Sequence, residues 1–571
     1  LHNYTVWGDL VALPVQPIFG VIGAFNFVYL LYVALAGWGA CLLAYRVTGA
    51  RTESVLAGVA FACAPFLVAR SLGHFSLVAA APLPFFLYWL DRTWESMRWR
   101  DAAMTGACVA WAAGSDPYYA VYCVGLGLAY AASKTLRWSS TAATAPRRRA
   151  VVRALDVTIA LALGLAILIR AAAGGALTIG GVTISMRSLY TPMLIVAILA
   201  LVRAAAARRV RVHWAQPQNL GRLAAIGAAM VTVTSLLMAP QLIALVTRAA
   251  QGEIVTVPVL WRSSAPGVDA LSFLVPNPAH PLAPAALSEW LAAQPGGYIE
   301  QVASLPWVAL IVIAAGWRLV RFRPAPLWTG IALGAAWLSL GPFIRIAGLE
   351  TFLPTPWALA RYLPLLGAAR MPGRMVVLVS LALSVIFAAA LAALIRRNPP
   401  ARTGLLAIVT IALAVELWPA PRPLYAASIP AIYRTVASDP RDVRVLELPL
   451  GIRDGLGLLG DSSALPQFYQ TAHRKRIIGG YLSRVSTRSK EAHLREPVLK
   501  ALIELSEGRA LDAELEARAR ADARAFVDRV ALGYVVIDRA RVSDTLHAFA
   551  TDALGLSLVG QTGDRELYVP R

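Results

Sequence analysis

Charged residues are scarce in this chain, and acidic residues are the scarcest of them. Of its 571 residues, only 15% are Asp, Glu, Lys or Arg, whereas 58% are hydrophobic. The mean hydropathy is +0.60, well above that of soluble globular domains. The sequence also lacks a Walker phosphate-binding loop, a GxSxG elbow, an HExxH motif and a Cys/His metal cluster. No soluble-enzyme motif therefore identifies its chemistry.

Cysteine is also rare, with four residues in the chain. Cys41, Cys63, Cys108 and Cys123 lie in apolar segments without a CxxC motif, so we expect them to pack as small buried side chains. The sequence begins at Leu1 without a Met, and residues 1–19 do not form a signal peptide. We therefore expect an N-terminally incomplete copy of a longer protein.

Long apolar segments recur through residues 1–419, and their lengths suit helices that cross a bilayer. They lie near residues 20–45, 53–70, 75–91, 102–116, 117–132, 151–172, 189–204, 221–248, 305–320, 327–346, 375–394 and 404–419. Several contain Pro or Gly, which membrane helices tolerate where packing or a water-filled cavity satisfies the backbone. The pattern predicts a mostly α, polytopic transmembrane helical bundle with roughly twelve spans.

Basic residues give the chain a net charge of +21, but their distribution argues against nucleic-acid binding. They punctuate the apolar segments and do not form one stripe with aromatic residues. Positive connectors mark the cytoplasmic side of membrane proteins. The inside set is then 46–51, 91–100, 134–149, 203–211, 318–323 and 395–402. The outside set is 1–19, 71–74, 114–119, 249–304, 347–374 and the chain beyond about residue 420.

Composition changes near residue 420, where acidic residues become frequent and apolar runs shorten. Strand patterns occur at 443–451, 476–482 and 534–540, a charged amphipathic helix at 510–532, and a terminal hairpin at 556–570. We therefore predict two domains: a transmembrane domain at 1–419 and a soluble extracytoplasmic α/β domain at 420–571. The stretch QTAHRKR at 470–476 is more typical of a solvated charge run than of an anion site.

Polar side chains in the outside connectors are the candidates for chemistry, since such groups are costly in or beside a membrane. They are His2, Asp9, His74, Asp116, Tyr118, Tyr119, Asp269, His280, Glu300, Arg361, Arg370 and Arg374. The three arginines oppose the charge bias of their side, so orientation alone does not explain them. Guanidinium groups bind phosphate with bidentate geometry. The alternatives are interfacial anchoring and pairing with a carboxylate of another loop.

Other candidates also have structural interpretations. Asp116, in GSDPYY, is either a turn or N-cap residue, or a carboxylate that accepts a hydroxyl proton. A histidine at the start of a span, as His74 is, is more often interfacial than catalytic. Asp9 follows Gly8 and suits a turn. His280, in the proline-rich NPAHPLAP, suits a structural role or a loop that covers a substrate groove.

The stretch GARTESVLAGVAFACAPFLVARSLGHFSLVAAAPLPFFLYWLDR resembles bacterial polytopic proteins of the C-class glycosyltransferase (GT-C) superfamily. So do GSDPYYAVY, the connector RMPGR and the stretch VLELPLG…FYQTAHRKRIIGGYLSR. The resemblance implies transfer of a sugar from a polyprenyl-phosphate donor to a glycan, lipid or protein acceptor, at the outer face of the bacterial cytoplasmic membrane.

That resemblance also implies roles for residues. An acid of the first outer loop acts as base, which here selects Asp9, with Asp116 as second candidate and His74 as a further catalytic candidate. Arg370 and Arg374, with Arg361 in support, would bind the donor phosphate. Tyr118, Tyr119 and His280 would contact the acceptor or its loop. No cofactor is certain, although a divalent cation could take part.

Two other classes of protein fit the same sequence. One is a transporter or flippase for a lipid-linked glycan, which would place polar residues at mid-membrane and show pseudo-symmetric halves. The other is a non-catalytic cell-envelope assembly protein that retains the fold. The unusual polar groups at one face favour the enzyme.

Overall fold

A computed structural model describes residues 5–142, 146–171, 176–179, 182–185, 189–214, 220–253, 267–363, 366, 371–419, 426–455, 457–482 and 485–571. Arg370 and His2, two of the predicted polar residues, lie outside these ranges.

The first part of the chain is mostly helical. Its helices are α1 (Val6–Ala12), α2 (Gln16–Thr48), α3 (Arg51–Ala62), α4 (Pro65–Arg70), α5 (Phe75–Val78), α6 (Pro82–Ser96), α7 (Trp99–Ala113), α8 (Pro117–Thr135), α9 (Pro146–Ala171), α10 (Tyr190–Ala207), α11 (Leu220–Leu237), α12 (Ala239–Ala250), α13 (Ala285–Ala293), α14 (Gly297–Gln301), α15 (Trp307–Val320), α16 (Pro326–Ser339), α17 (Trp357–Ala360), α18 (Val376–Arg397) and α19 (Arg402–Glu416). Short 3₁₀ helices lie at Ala270–Phe273, Pro372–Met375 and Pro399–Ala401. Three two-stranded sheets pair β1 (Leu136–Ala142) with β4 (Arg208–Trp214), β2 (Ala176–Ile179) with β3 (Val182–Ser185), and β5 (Phe343–Ile346) with β6 (Leu349–Pro354).

Seven helical segments of the described chain are long and apolar enough to cross a membrane. They are Gln16–Thr48, Arg51–Arg70, Arg148–Arg170, Tyr190–Ala207, Leu220–Leu237, Pro372–Arg397 and Pro399–Glu416. The protein therefore has the helices of a membrane protein, as the composition predicts. The total of roughly twelve spans, which includes shorter apolar helices, stays a prediction.

Helix α18 lies at the centre of the bundle. Apolar side chains surround it, and 94% of its most apolar 18-residue window is buried. A helix that is hydrophobic on every side requires packing on every side, and α18 packs against α2, α3, α15 and α16. By contrast, only 6–11% of the apolar windows of α9, α10, α11 and α19 is buried, as expected for helices whose outer faces contact lipid.

Proline determines where the bundle's short helices begin. Pro65 and Pro82 occupy the first turns of α4 and α6, where the missing N–H costs no helical hydrogen bond. The predicted spans 53–70 and 75–91 are consequently each divided in two. The break before Pro82 and the turn at residues 71–73 lie at the end of the bundle that holds the candidate site.

Residues of several predicted connectors meet at one end of the bundle or the other, while the assignment of these ends to the inside and outside of the membrane stays a prediction. At one end, Arg46 contacts Asp91, with 2.6 Å between Nε and Oδ2, and Tyr130 donates to the same carboxylate at 2.5 Å. These residues belong to, or adjoin, three of the predicted inside connectors. The opposite end gathers residues from the predicted outside connectors 71–74, 114–119, 249–304 and 347–374, as described below.

The C-terminal region contains α20 (Ile432–Ser438), α21 (Leu465–His473), α22 (Thr487–Arg495), α23 (Pro497–Ser506), α24 (Ala513–Val530) and α25 (Asp544–Ala553). Its strands are β7 (Arg444–Leu448), β8 (Gly451–Arg453), β9 (Leu458–Gly460), β10 (Arg476–Ile478), β11 (Gly480–Tyr481), β12 (Leu532–Asp538), β13 (Leu556–Thr562) and β14 (Arg565–Pro570).

Five of these strands form a mixed sheet in the order β10-β7-β12-β14-β13. Strand β7 is parallel to both of its neighbours, and β13 and β14 form the predicted terminal hairpin. Two apolar clusters cover the two faces of the sheet, and their residues all come from 429–569. The strands and the amphipathic helix predicted from the sequence are thus present. Their organisation as a separate extracytoplasmic domain stays a prediction.

Candidate functional site

Arg70, Glu300 and Arg374 form an ion-pair cluster at the end of the bundle that gathers the predicted outside connectors. Arg374 Nη2 lies 2.7 Å from Glu300 Oε1, and Arg70 Nη1 lies 3.0 Å from Glu300 Oε2. The three residues come from α4, α14 and the 3₁₀ turn that precedes α18. We call them the Arg–Glu–Arg cluster. One carboxylate thus holds three separate elements together.

The cluster grades from the protein interior toward the surface. The side chain of Arg70 is 0% exposed, that of Glu300 is 8% and that of Arg374 is 15%. Arg70 is further held by the carbonyl oxygen of Ile299 and by the ring of Phe66, whose centroid lies 4.5 Å from its Cζ. Arg70 therefore anchors Glu300 from its buried side, while Arg374 is the most accessible cation of the cluster.

Burial raises the pKa of the Glu300 carboxyl, but its interactions with Arg70 and then Arg374 outweigh burial and hold the pKa below its usual value. Glu300 is therefore ionised at neutral pH. Two guanidinium groups face this one carboxylate, which leaves an excess of one positive charge within the cluster. The excess favours an anion on the exposed side of Arg374.

His74 lies at the rim of the cluster, with Nε2 3.6 Å from Glu300 Oε1. Burial lowers the pKa of His74 to about 4, and repulsion from Arg374 and Arg70 adds to the effect against the attraction of Glu300. The imidazole is consequently neutral at pH 7. Its buried Nδ1 has no hydrogen-bond partner among the described residues.

Asp116 is buried beside this cluster, with 2% of its surface exposed. It is the N-cap of α8: Oδ1 accepts from the backbone N–H of Tyr118 at 2.9 Å. Oδ2 accepts from the Ser76 hydroxyl at 2.8 Å. The structural interpretation of Asp116 as a capping residue is thus confirmed. Its role as a base stays a prediction.

Burial raises the pKa of the Asp116 carboxyl, and the bonds from Ser76 and Tyr118 together with the charge of Arg374 oppose this shift. A carboxyl group with a raised pKa is a stronger base once ionised. The Asp116 environment thus suits proton transfer as well as capping.

Tyr118 connects Asp116 to the Arg–Glu–Arg cluster. Its backbone N–H binds Asp116, its ring lies under the Arg374 guanidinium at 4.8 Å from Cζ, and its hydroxyl accepts from the Met371 N–H at 3.1 Å. One tyrosine therefore fixes both the acid and the basic connector. Its neighbour Tyr119 is fully buried and donates to the carbonyl oxygen of Leu77, which suits a structural role.

Asp9 lies on α1, which packs against the outer end of α7. The Trp7 indole donates to Ala110 O at 3.0 Å, and the Trp7 N–H donates to Gly114 O at 3.3 Å. Partial desolvation raises the pKa of Asp9, whose side chain remains exposed. Asp9 thus lies in a helix, and not in the turn that its position after Gly8 suggests. Through Trp7, helix α1 docks on Gly114, which lies two residues before Asp116 in the chain.

The remaining predicted residues lie elsewhere. Arg361 is buried within its own connector and donates to Ala358 O at 3.1 Å and to the Tyr362 hydroxyl at 3.3 Å. His280 lies 3.0 Å from Val415 O, at the end of α19, and its Nδ1 accepts from the Leu282 N–H. In this location His280 holds its own loop against the end of α19. Contact of this loop with an acceptor stays a prediction.

Asp269 and Lys475 illustrate polar residues that hold loops. Asp269 accepts from the backbone N–H groups of Leu271, Ala347 and Gly348 at 2.9, 3.0 and 2.7 Å, so it fixes the β5–β6 turn. Lys475, in the predicted charge run, donates to the carbonyl oxygen of Asp439 at 2.6 Å. Each side chain thus holds the backbone of a loop in place.

Arg70 was missed in the sequence analysis, and Glu300 was named there among the polar candidates without a role. The available signal was the one that selected Arg374: a charge on the side of the membrane that positive residues avoid. Arg70 ends an apolar run directly before an outside connector, so the same rule applies to it. Within the described residues, no group of three or more His, Cys, Asp or Glu side chains could hold a metal ion.

Comparison with known proteins gives two likenesses. The family model "Domain of unknown function (DUF6311)" matches residues 10–199. A solved cryo-EM structure of a mutant of the arabinofuranosyltransferase AftD from Mycobacteria is similar with a TM-score of 0.43 and 14% sequence identity. That match covers 96% of this chain and 35% of that chain, so the protein spans about a third of its solved counterpart. No curated protein matches.

Proposed function

We propose that the protein is a membrane glycosyltransferase that moves a sugar from a polyprenyl-phosphate donor to an acceptor at the outer face of the membrane. The observation that carries the proposal is the link through Tyr118 between Asp116 and Arg374. A candidate base and a candidate phosphate ligand are thereby held in one constellation at one end of a membrane bundle. A water-soluble sugar donor would not require a site at the end of a membrane bundle.

Arg374 would stabilise the negative charge that develops on the departing lipid phosphate. Its side chain is the most exposed of the Arg–Glu–Arg cluster, and Glu300 and Tyr118 hold it from two directions. A preoriented cation of this kind needs little reorganisation when the charge forms. Arg70, which is fully buried, would act as a positioning residue by fixing Glu300. Arg370 remains a predicted ligand of the same phosphate, with Arg361 in support.

Asp116 would accept the proton of the acceptor hydroxyl. The hydroxyl oxygen forms the new bond to the anomeric carbon, the bond from that carbon to the phosphate oxygen breaks, and the electron pair leaves with the lipid phosphate. The acceptor's proton ends on the Asp116 carboxylate. Local movement of the Ser76 side chain would expose Oδ2 to the acceptor, since Ser76 now occupies that oxygen. Asp9 is the alternative base.

The test reconstitutes the purified chain into vesicles with a panel of radiolabelled polyprenyl-phosphate pentoses and hexoses and a set of glycan, lipid and peptide acceptors, and measures the acceptor-dependent release of sugar from the lipid. We expect the wild-type chain to release one of them, and Arg374→Ala to abolish release. Arg345→Gln is the matched control. Arg345 lies in β5 at the same end and contacts Gln294 and Gly348, outside the constellation.

The same vesicles separate the alternatives. Normal turnover in Arg374→Ala would contradict the phosphate role. Movement of the intact lipid-linked sugar between leaflets, without cleavage, would instead identify a flippase. Loss of turnover in Asp9→Asn but not in Asp116→Asn would transfer the base role to Asp9.

A further inference from the structure

A two-stranded ribbon lies at the end of the bundle opposite the candidate site. Strands β1 and β4 pair antiparallel over seven residues each, from Leu136 opposite Trp214 to Ala142 opposite Arg208. Sequence reasoning treated both segments as basic connectors. The pairing separates the basic residues from the apolar ones, because alternate residues of a strand point to opposite faces.

One set of register positions is basic and polar. Arg137 pairs with His213, Ser139 with Arg211, and Thr141 with Arg209. Neither strand contains an acidic residue. The side chains of Arg137 and Arg211 are exposed, so they are available to an anionic partner.

The alternate positions are largely apolar. Leu136 pairs with Trp214, Trp138 with Val212, and Ser140 with Val210, whereas the last pair of this set, Ala142 with Arg208, adds one arginine at the end of the ribbon. Leu136, Val212 and Trp214 are 38%, 61% and 64% exposed. An amphipathic ribbon whose apolar side is exposed needs a second apolar phase beside it.

The connections of the ribbon place it along the membrane surface. Strand β1 begins at the residue after α8 ends, and β4 begins at the residue after α10 ends. Only residues 143–145 and 215–219 separate the other strand ends from α9 and α11. Helices α9, α10 and α11 contain candidate membrane spans. Seven residues extend for about 23 Å, so the ribbon bridges helix ends and is tied to them at both of its own ends.

We propose that this ribbon, β1 with β4, is an interfacial contact that recognises the anionic phospholipid headgroups of the surrounding leaflet. Its apolar side faces the acyl region, and its arginines reach the phosphates. Guanidinium side chains readily place an apolar stem in the interface and the charge at the headgroups. Each basic residue near an anionic surface adds attraction that salt weakens.

An adjoining cavity favours lipid over an acidic soluble protein as the partner. Trp214 lines an apolar cavity of about 290 Å³ between α6, α8 and α11, together with Leu90, Trp94, Thr135, Leu223 and Ile226. A lipid supplies an acyl chain to this cavity as well as a phosphate to the ribbon. An acidic protein surface would satisfy the arginines but would leave both the cavity and the exposed apolar side chains uncovered.

The test places spin labels on the two sides of the ribbon in the full chain. The four native cysteines are first replaced by serine or alanine, and Val212→Cys and Ser139→Cys then provide one label each. The labelled proteins are reconstituted into nanodiscs of phosphatidylcholine with or without phosphatidylglycerol. We expect the Val212 label to collide mainly with oxygen, which partitions into lipid, and the Ser139 label mainly with a water-soluble nickel chelate.

A charge variant tests headgroup recognition separately. Arg137→Gln combined with Arg211→Gln should weaken the stabilisation of the chain by added phosphatidylglycerol, by about fivefold in apparent affinity for each charge removed at low salt. The matched control is Arg321→Gln combined with Arg323→Gln, exposed residues of another basic connector at the same end. The control measures the loss of affinity that removing any two exposed arginines at this end causes, and that loss should be smaller than the loss in the ribbon variant.

Two outcomes would overturn the proposal. Both labels could be accessible to the nickel chelate in either lipid mixture, which would leave the basic side to a soluble acidic partner. Alternatively, the ribbon variant could respond to phosphatidylglycerol as the control does, which would leave the arginines as orientation signals only. Neither outcome depends on whether the protein transfers a sugar.

Discussion

Arg374 binds Glu300 by two of its nitrogens: Nη2 lies 2.7 Å and Nε 3.3 Å from the same carboxylate oxygen. The other oxygen of Glu300 faces the fully buried Arg70. An arginine of the basic connector is therefore fixed by an acid of a distant loop before any ligand arrives. A phosphate at this site would share Arg374 with Glu300 and would not meet a free cation.

Glu300→Gln should be strongly destabilising. The change leaves two buried or half-buried guanidinium groups without their carboxylate, and breaking a buried ion pair in this way costs about 3–5 kcal/mol. Thermal unfolding in detergent measures the effect. Glu289→Gln is the matched control, because Glu289 is an exposed glutamate of the same loop. This variant should unfold at the same temperature as the wild-type chain.

A second variant separates the charge effect from simple loss of packing. Arg70→Met combined with Glu300→Gln removes the most deeply buried charge together with its partner, so it should recover part of the stability that Glu300→Gln loses. A double variant less stable than the Glu300 variant would show that Arg70 acts through contacts other than the ion pair, such as those with Ile299 and Phe66.

The separation of Arg70 and Glu300 along the sequence explains why the sequence predicts helices better than it predicts residue contacts. Apolar length and proline position predict the spans and their breaks, since both act within one segment. Charge alternation also predicts that the connectors 71–74, 114–119, 249–304 and 347–374 lie at the same end. The Arg70–Glu300 contact joins residues 230 positions apart, and no local pattern reports it. Likewise, the alternation within RRVRVHW suits a strand, but the charge of the connector dominated its interpretation.

Asp116→Asn should fold normally and lose activity. Asparagine is an equally good N-cap, so α8 keeps its first-turn bond to the Tyr118 N–H, while the amide cannot accept the acceptor's proton. Asp116→Ala should lose the activity and also about 1 kcal/mol of stability with the cap. Sugar release and thermal unfolding, measured on the same preparations, distinguish the two effects. Full turnover by Asp116→Asn would leave the residue with its capping role alone.

Glu447 should make the C-terminal sheet less stable as the pH rises. It lies in β7, buried, where its Oε1 accepts from the Tyr433 hydroxyl at 2.8 Å. Burial raises the pKa of Glu447 from 4.5 to about 7, with Tyr433 and Arg565 opposing the shift and Asp538 adding to it. Between these values the unfolded chain has released a proton that the folded chain retains. Stability therefore falls from pH 4.5 to about 7, and the loss is fully present above that.

Glu447→Gln removes the proton exchange and keeps an acceptor for Tyr433. We expect it to stabilise β7 at pH 8 by about 1–3 kcal/mol and to have little effect at pH 4.5. Hydrogen exchange of the β7 amides, corrected for the intrinsic pH dependence of exchange, provides the measurement. Equal protection of the variant and wild-type strands at pH 8 would mean that Glu447 is already ionised at no cost in the folded protein.

Gly106→Ala should loosen the contact between α7 and α11. A Cβ at Gly106 would lie 2.5 Å from the carbonyl oxygen of Met230, and the Thr234 hydroxyl donates to Gly106 O at 2.9 Å across the same contact. Small residues of this kind allow membrane helices to approach closely, and overpacking costs about 1–3 kcal/mol. Gly125→Ala is the control, since a Cβ there would meet nothing within 4 Å. Alanine favours the helix over glycine by about 1 kcal/mol, so Gly125→Ala should be neutral or stabilising in detergent unfolding. Equal effects of the two substitutions would show that the helices can move apart at Gly106 without cost.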